Sequence, residues 1–462
     1  CTEDSVTNTQ NIHLLTSSNY KWYEKQKLTF RRDNPLLDFD WLDSTQFTYT
    51  LRVVTVKEIV KYVFRSVINN SLGVCGVIDG KSLQLTDFTD SVIPPIMSLK
   101  TFTNSAPINF VAFGQNCVVI VDCDNNLKIL DIETLENVTS VNLKLTLDNL
   151  SLIPLSCHHF IHTPGTIFFS CETPSDTIIH NLDVATTEIK FINAAPTPLR
   201  HLVHISTNHD LVSLSRLDSN LYINDCQDTV RQDVKIINDK PYTCRLLSNC
   251  HFYVNDHKIS DCVNSFQIFD NYLLYTTKLN ELYCLRLTGN FDNKYLRSVE
   301  QGATIVTAIT NSPKIVLQLP RGNLETISCR LISIDILDRL LDDGRWDEAL
   351  RFIRLEKLNA NLLFDLDANR FLEQIDRFMT GAKTINELNS ICLEFEEGNV
   401  LDSIYRNWGK SKMYPGKIDA IFLAIFKYFN KVDYADYITT ILIINLNFFT
   451  LREGLMYLQD LL

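Results

Sequence analysis

The chain has 462 residues, 45% of them hydrophobic and 21% charged, with a formal net charge of −12. That is enough for two or three domains, each with a real core. The acidic balance argues against a broad phosphate-binding surface, and no Lys/Arg run exceeds Arg31-Arg32. The 13 cysteines show no CxxC pair and no regular spacing, which reads as reduced thiols in a cytosolic or nuclear protein, with the cytoplasm the expected location. The Asn-x-Ser/Thr triplets at Asn69, Asn137 and Asn149 are then incidental.

From the N-terminus to about residue 328, short alternating segments repeat. Ser82–Leu85, Asn126–Leu130, Leu282–Leu287 and Lys314–Leu319 suit pleated strands, with Ile315, Leu317 and Leu319 sharing one face. Turns fall between such runs at Asp79-Gly80, Asp124-Asn125-Asn126, Asp218-Ser219-Asn220, Asn255-Asp256 and Arg321-Gly322-Asn323. These residue types accept the positive φ of tight hairpins. Antiparallel sheets must close or stack to hide their edges. Residues 1–328 therefore read as a WD40-like β-propeller of about seven blades, at roughly 40–45 residues each, although no strand ends in Trp-Asp. A β-sandwich array is the alternative, and the propeller is favoured.

The chain changes character at Pro320-Arg321-Gly322-Asn323-Leu324-Glu325. Only one of 13 prolines, Pro415, lies beyond it, and proline is excluded from helix interiors. Residues 329–462 read as an all-α solenoid of tetratricopeptide-like helix pairs. Ile334, Leu337 and Leu341 line the first helix. Trp346, Ala349, Leu350 and Ile353 line the second, with Trp346 wedged between the two. Ile385, Leu388, Cys392 and Phe395 mark another, as do Ile418, Ile421, Phe422, Ile425 and Phe429. Leu451, Leu455 and Leu458 mark the last. The apolar stretch at 438–449, broken by Asn445 and Asn447, is too short to cross a bilayer. An unpaired apolar face at the end of the stack, carrying Tyr437, Ile441, Ile444, Leu455 and Leu458, is the expected interaction surface.

Candidate chemistry is thin. Cys157-His158-His159-Phe160-Ile161-His162 with Cys171 comes nearest to a metal site, but adjacent histidines on a strand point to opposite faces. His201, His204, His209 and Asp210 lack a helix-compatible pair. Asp122, Asp124 and Asp131 read as turn and solvent-facing groups. Neither a Gly-x-Ser-x-Gly elbow, a Walker loop nor GxGxxG occurs. No metal, cofactor or catalytic residue is assigned, and the expectation is a non-enzyme. Gly322 supplies a positive φ, and Arg321 pairs with Asp335 or Asp338 across the junction. Trp22 is expected in a blade core, with its neighbour Tyr23 pointing the other way.

The tract Glu300-Gln301-Gly302-Ala303-Thr304-Ile305-Val306, continuing through Val316-Leu317-Gln318-Leu319-Pro320-Arg321-Gly322-Asn323-Leu324-Glu325, resembles the largest subunit of the Elongator complex, the IKAP family. Asn19-Tyr20-Lys21-Trp22-Tyr23-Glu24-Lys25-Gln26, Val92-Ile93-Pro94-Pro95-Ile96-Met97, Phe252–Asp256, Leu273–Thr277, Glu348-Ala349 and Gly416-Lys417-Ile418-Asp419 agree in order. Lys21, Glu24 and the segment 397–405 depart from the family pattern, and much of 125–245 shows no clear match. The resemblance implies the second propeller and the opening of the solenoid of a noncatalytic scaffold. It further implies partners: a radical-SAM catalytic subunit, a WD40 second subunit, and tRNA reached through the complex during wobble-uridine modification. Homodimerisation would occur through a region outside this sequence, with no membrane association. A coat-type trafficking scaffold shares the same plan and is the alternative.

Overall fold

In the computed structural model, the residues described are 2–4, 8–18, 21–42, 48–65, 69–71, 73–89, 98–114, 116–122, 124, 126–143, 157–163, 165–172, 176–196, 201–204, 215–218, 221–224, 228–288, 293–320, 323–402, 405, 414–429, 431–432 and 435–448. Two compact units emerge. One joins Cys1–Thr310 with Lys314–Ile327, and the other joins Asn311–Pro313 with Ser328–Leu462.

The first unit opens with two three-stranded antiparallel sheets, Thr2–Asp4, Thr9–Ser18, Lys21–Arg31 and then Leu36–Trp41, Thr48–Thr55, Ile59–Arg65. Their alternating apolar residues meet in a small shared core of Ile12, Phe30, Leu51 and Val53.

Among the described residues, seven further sheets run from Asn69 to Ser328. Five are four-stranded. In the one at His201–Asn224, the strand Leu221–Asn224 lies between His201–His204 and Ser215–Asp218. The first strands of sheets one to five lie side by side in order, as do those of sheets six and seven, and Thr304–Ala308 of the seventh returns to Asn69–Ser71 of the first. The fifth and sixth share a core around Phe252, Phe266 and Tyr275. This is a β-propeller. Within the range 1–328 expected as one propeller, the strands from Thr2 to Arg65 stand in their own two sheets, and the ring starts at Asn69.

Local chemistry explains the ring. At the second hairpin of the first sheet, Gly80 takes φ +59, and Cys250 (φ +69) occupies the equivalent turn of the fifth. In both places the turn carbonyl accepts a bond from the first residue of the next sheet, Ile108 N–H to Gly80 O at 2.9 Å and Val263 N–H to Cys250 O at 3.0 Å. The hairpins thus stitch sheet to sheet. Asp131 and Asp183 hold the last hairpins of the second and third sheets through bonds from Thr134 and Thr186 N–H at 2.7 and 2.8 Å. Those bonds keep both carboxyls below the usual range. Closure lies between sheets one and seven. Gly73 N–H donates to Thr307 Oγ1 at 3.2 Å, and Cys75 and Phe88 pack with Val306, Ile309 and Val316. Val316 is buried along with Ile315 and Leu317, because this strand is covered on both faces.

The second unit contains α1 (Arg330–Asp342), α2 (Trp346–Glu356), α3 (Leu362–Asp365), α4 (Ala368–Glu373), α5 (Ile375–Gly381), α6 (Ile385–Glu394), α7 (Lys417–Phe429), a 3-10 turn at Ala435–Tyr437, and α8 (Ile438–Phe448). One continuous apolar cluster runs from Ile334 to Ile444. Gly344 (φ +69) makes the α1–α2 turn, Asp367 caps α4, and Thr384 caps α6. Trp346 is fully buried and meets Phe371 and Phe378 edge-on, so it wedges toward α4 and α5 rather than only between α1 and α2. Its Nε1–H donates to Gln374 Oε1 at 2.8 Å. No helix among the described residues is long and apolar enough to cross a membrane.

Candidate interaction surfaces

At the junction tract, strands Lys314–Gln318 and Leu324–Ser328 are joined by a turn that Leu319 N–H closes onto Asn323 O at 2.8 Å. Gly302 (φ +82) sits against it: a Cβ there would lie 3.2 Å from Pro320 Cγ. The two halves of the family-like tract are therefore in contact. Pro320 and Asn323 are exposed, Glu325 is half-buried, and Leu324 packs on the ring's closing core. Arg321 and Gly322 lie outside the described residues, and so does the ion pair expected for Arg321. Asp338 accepts from Arg370 Nη2 at 2.8 Å, and Asp342 also binds this guanidinium, tying α1 to α4. Burial pushes the Asp335 carboxyl up to about 7, with Asp338 adding to the effect and Arg339 opposing it.

The polar centre of the helical unit is Lys417, at the start of α7. Its side chain is 2% exposed and its ammonium lies 2.8 Å from Asp365 Oδ1. It also donates to Asn361 Oδ1 at 2.7 Å and Gly398 O at 3.1 Å. Asp365 Oδ2 accepts from Val400 N–H and Asn361 Oδ1 from Glu396 N–H, both at 2.9 Å, so the group fixes the loop after α6. Burial raises the Asp365 carboxyl and lowers the Lys417 ammonium, while their mutual attraction opposes both shifts. A second tie joins α2 to α6: the half-exposed Arg354 reaches the buried Glu387 at 2.7 Å. A third is Asn389, bonded to Thr439 and Thr440 of α8. These groups are mutually satisfied and act as staples. Sequence reasoning missed them. The readable signal was Lys417 itself, which stands in line with Ile421, Ala424 and Tyr428 on a buried stripe.

The expected sticky surface at the end of the stack needs correction. Ile441 and Ile444 are fully buried, because α8 packs this face into the common core. Tyr437 is half-buried against Phe429 at 5.2 Å. Leu455 and Leu458 lie outside the described residues. Side chains of Trp22, Tyr23, Cys157, His158, His159, His162, Cys171, His201 and His204 are likewise outside them, as are His209 and Asp210 entirely. Backbone pairing sets Cys157 opposite Cys171. Asp122 is buried, not solvent-facing: it accepts from Asn104 Nδ2 at 3.0 Å and Asn126 N–H at 2.9 Å. Among the described residues no three His, Cys, Asp or Glu side chains are grouped to hold a metal. Leu37, Phe39 and Trp41 are exposed at alternate positions of the edge strand Leu36–Trp41.

A family model described as the ELP1 N-terminal second beta-propeller matches residues 77–242 and 229–306, and one described as the ELP1 alpha-solenoid matches residues 330–450. Both models come from one family, and they match in order. The chain belongs to the Elongator complex protein 1 family. Relatives named Elongator complex protein 1 include those of a fly, a mouse and a fission yeast. That of Drosophila melanogaster is 29% identical over 84% of this chain and 33% of its own length. The Mus musculus relative is 23% identical over 87% and 37%, and the Schizosaccharomyces pombe relative 24% over 88% and 35%. The chain thus spans about a third of these relatives. The propeller match begins beyond the two N-terminal sheets.

Proposed function

We propose that this chain is a noncatalytic scaffold segment of Elongator, holding the radical-SAM catalytic subunit and the WD40 second subunit in place for wobble-uridine modification of tRNA in the cytoplasm. The observation that carries this reading is the ordered match of a propeller and a solenoid to two models of one family. The geometry agrees in kind: closed sheets give a rigid platform, and helices pinned by buried polar staples give a fixed arm. A partner held so gains orientation and local concentration. Homodimerisation and tRNA contact are assigned to other parts of the parent protein and complex.

The test is affinity purification of the full-length parent, followed by nucleoside mass spectrometry of tRNA after its depletion. Recovery of a radical-SAM subunit and loss of modified wobble uridine are expected. Recovery of vesicle-coat components with intact wobble uridine would instead favour the coat-type reading.

A further inference from the structure

The solvent face of α2 does not look like the rest of this acidic protein. Leu355 is 71% exposed, more than any other exposed large hydrophobic side chain among the described residues. Arg351, Arg354 and Lys357 stand four before, one before and two after it, and all are exposed. The opposite face of the helix is fully used, with Trp346, Ala349, Leu350 and Ile353 buried. Lys383 is exposed next door, since its backbone N–H and Arg354 bind the same Glu387 carboxylate, at 3.0 and 2.7 Å.

Of the carboxylates around this face, Asp347 stands exposed four residues before Arg351, Glu348 is held by Arg345, and three more are engaged inside the molecule. Glu387 is held by Arg354, Glu356 accepts from Ser328 Oγ at 2.9 Å, and Glu394 from Ala360 N–H at 3.3 Å. Arg351, Lys357 and Lys383 form no ion pair among the described residues. Arg330 does not merely add charge. Its guanidinium covers the last carbonyls of α2, Glu356 O and Lys357 O, so the helix terminus is already capped.

From this charge pattern we propose that the Arg351–Leu355 face of α2, with Arg354, Lys357 and Lys383 around it, docks an acidic, leucine-bearing amphipathic segment of another polypeptide. A leucine of the partner would cover Leu355, and its carboxylates would meet the unpaired cations. The exposed Leu355 favours protein over phosphate backbone, which would leave it uncovered. The proposal does not depend on the Elongator reading, because the test needs only this chain and a synthetic probe.

The test is fluorescence anisotropy with the 462-residue chain and a labelled helical peptide of repeating Glu-Leu-Leu-Glu. Saturable binding is expected, weakened about tenfold by either Arg351→Glu or Leu355→Ser. The Arg351→Glu variant should gain affinity for the matching Lys-Leu-Leu-Lys peptide. Circular dichroism should show both variants folded, since both side chains face solvent. Absence of binding would overturn the proposal, as would equal binding of polyglutamate with no effect of Leu355→Ser. Displacement of the peptide by duplex RNA, at equal affinity for Leu355→Ser and the unsubstituted chain, would overturn it in favour of a phosphate site.

Discussion

The ring and the helical unit are held together differently. The ring divides its apolar contacts into separate clusters, each straddling neighbouring sheets: Leu83 with Val111 and Val118, Val119 with Phe169, Phe252 with Phe266, and Cys75 with Val316. Among the described residues, the helical unit has one cluster from Ile334 to Ile444, crossed by buried charges. Damage in a segmented core stays local, whereas damage in a continuous core spreads, and a buried charge spreads it furthest.

The largest test of that contrast is Lys417→Met. It strands Asp365, 2% exposed, and should cost about 3–5 kcal/mol in the helical unit, while adding Asp365→Leu recovers most of the loss. Thermal denaturation followed by hydrogen exchange should show α3, α6 and α7 losing protection together and the ring unchanged. Equal loss in both units would break the comparison.

Gly76→Ala is the ring's counterpart. A Cβ there would lie 2.9 Å from Phe113 Cζ in the next sheet, and such overpacking costs about 1–3 kcal/mol. Exchange should rise in the first two sheets only. Protection lost around the whole ring would show that the clusters are coupled after all.

Asp335 offers a titration instead. Its folded carboxyl sits at about 7 against 3.8 for the ordinary group, so its contribution is full below pH 4 and lost as pH rises through 7. Asp335→Asn should therefore stabilise the helical unit increasingly from pH 4 upward and level off above 7, below the ceiling of about 4 kcal/mol that the full shift sets, because water partly screens the half-buried carboxyl. A pH-independent difference would remove the role given to burial. The smallest effect belongs to Lys357, which ends α2 at φ +51. Lys357→Gly should raise stability by about 0.5 kcal/mol, read as a higher melting midpoint of the helical unit alone.

Periodicity made much of this fold legible. Ile334, Leu337 and Leu341, then Trp346, Ala349, Leu350 and Ile353, are buried as their spacing requires. Gly80 and Asn255 take the positive φ that their turns demand. What escaped has physical causes. Helices α3 to α5 are four, six and seven residues long, too short for a 3.6-residue pattern to develop, although Phe364, Phe371 and Phe378 sit at the core's centre. Ile441 and Ile444 were read as an open face because α8 and its partner α6 lie far apart in sequence. The two N-terminal sheets use the same alternation as the ring, so only tertiary contacts separate them from it. The junction tract was recognisable by resemblance, whereas the contact of Gly302 with Pro320 needed coordinates.

The ring's closing contact also sets an order of events. Gly73 and Thr307 are 234 positions apart, and among the described residues no strand from one end completes the sheet at the other. A ribosome must therefore release nearly the entire propeller before the clasp can shut, and until then Cys75 and Phe88 wait uncovered. The helices that follow need no such delay, since α1 and α2 meet across a three-residue turn. The portion synthesised first is thus the one obliged to finish late, and its half-made stages are where chaperone dependence should concentrate.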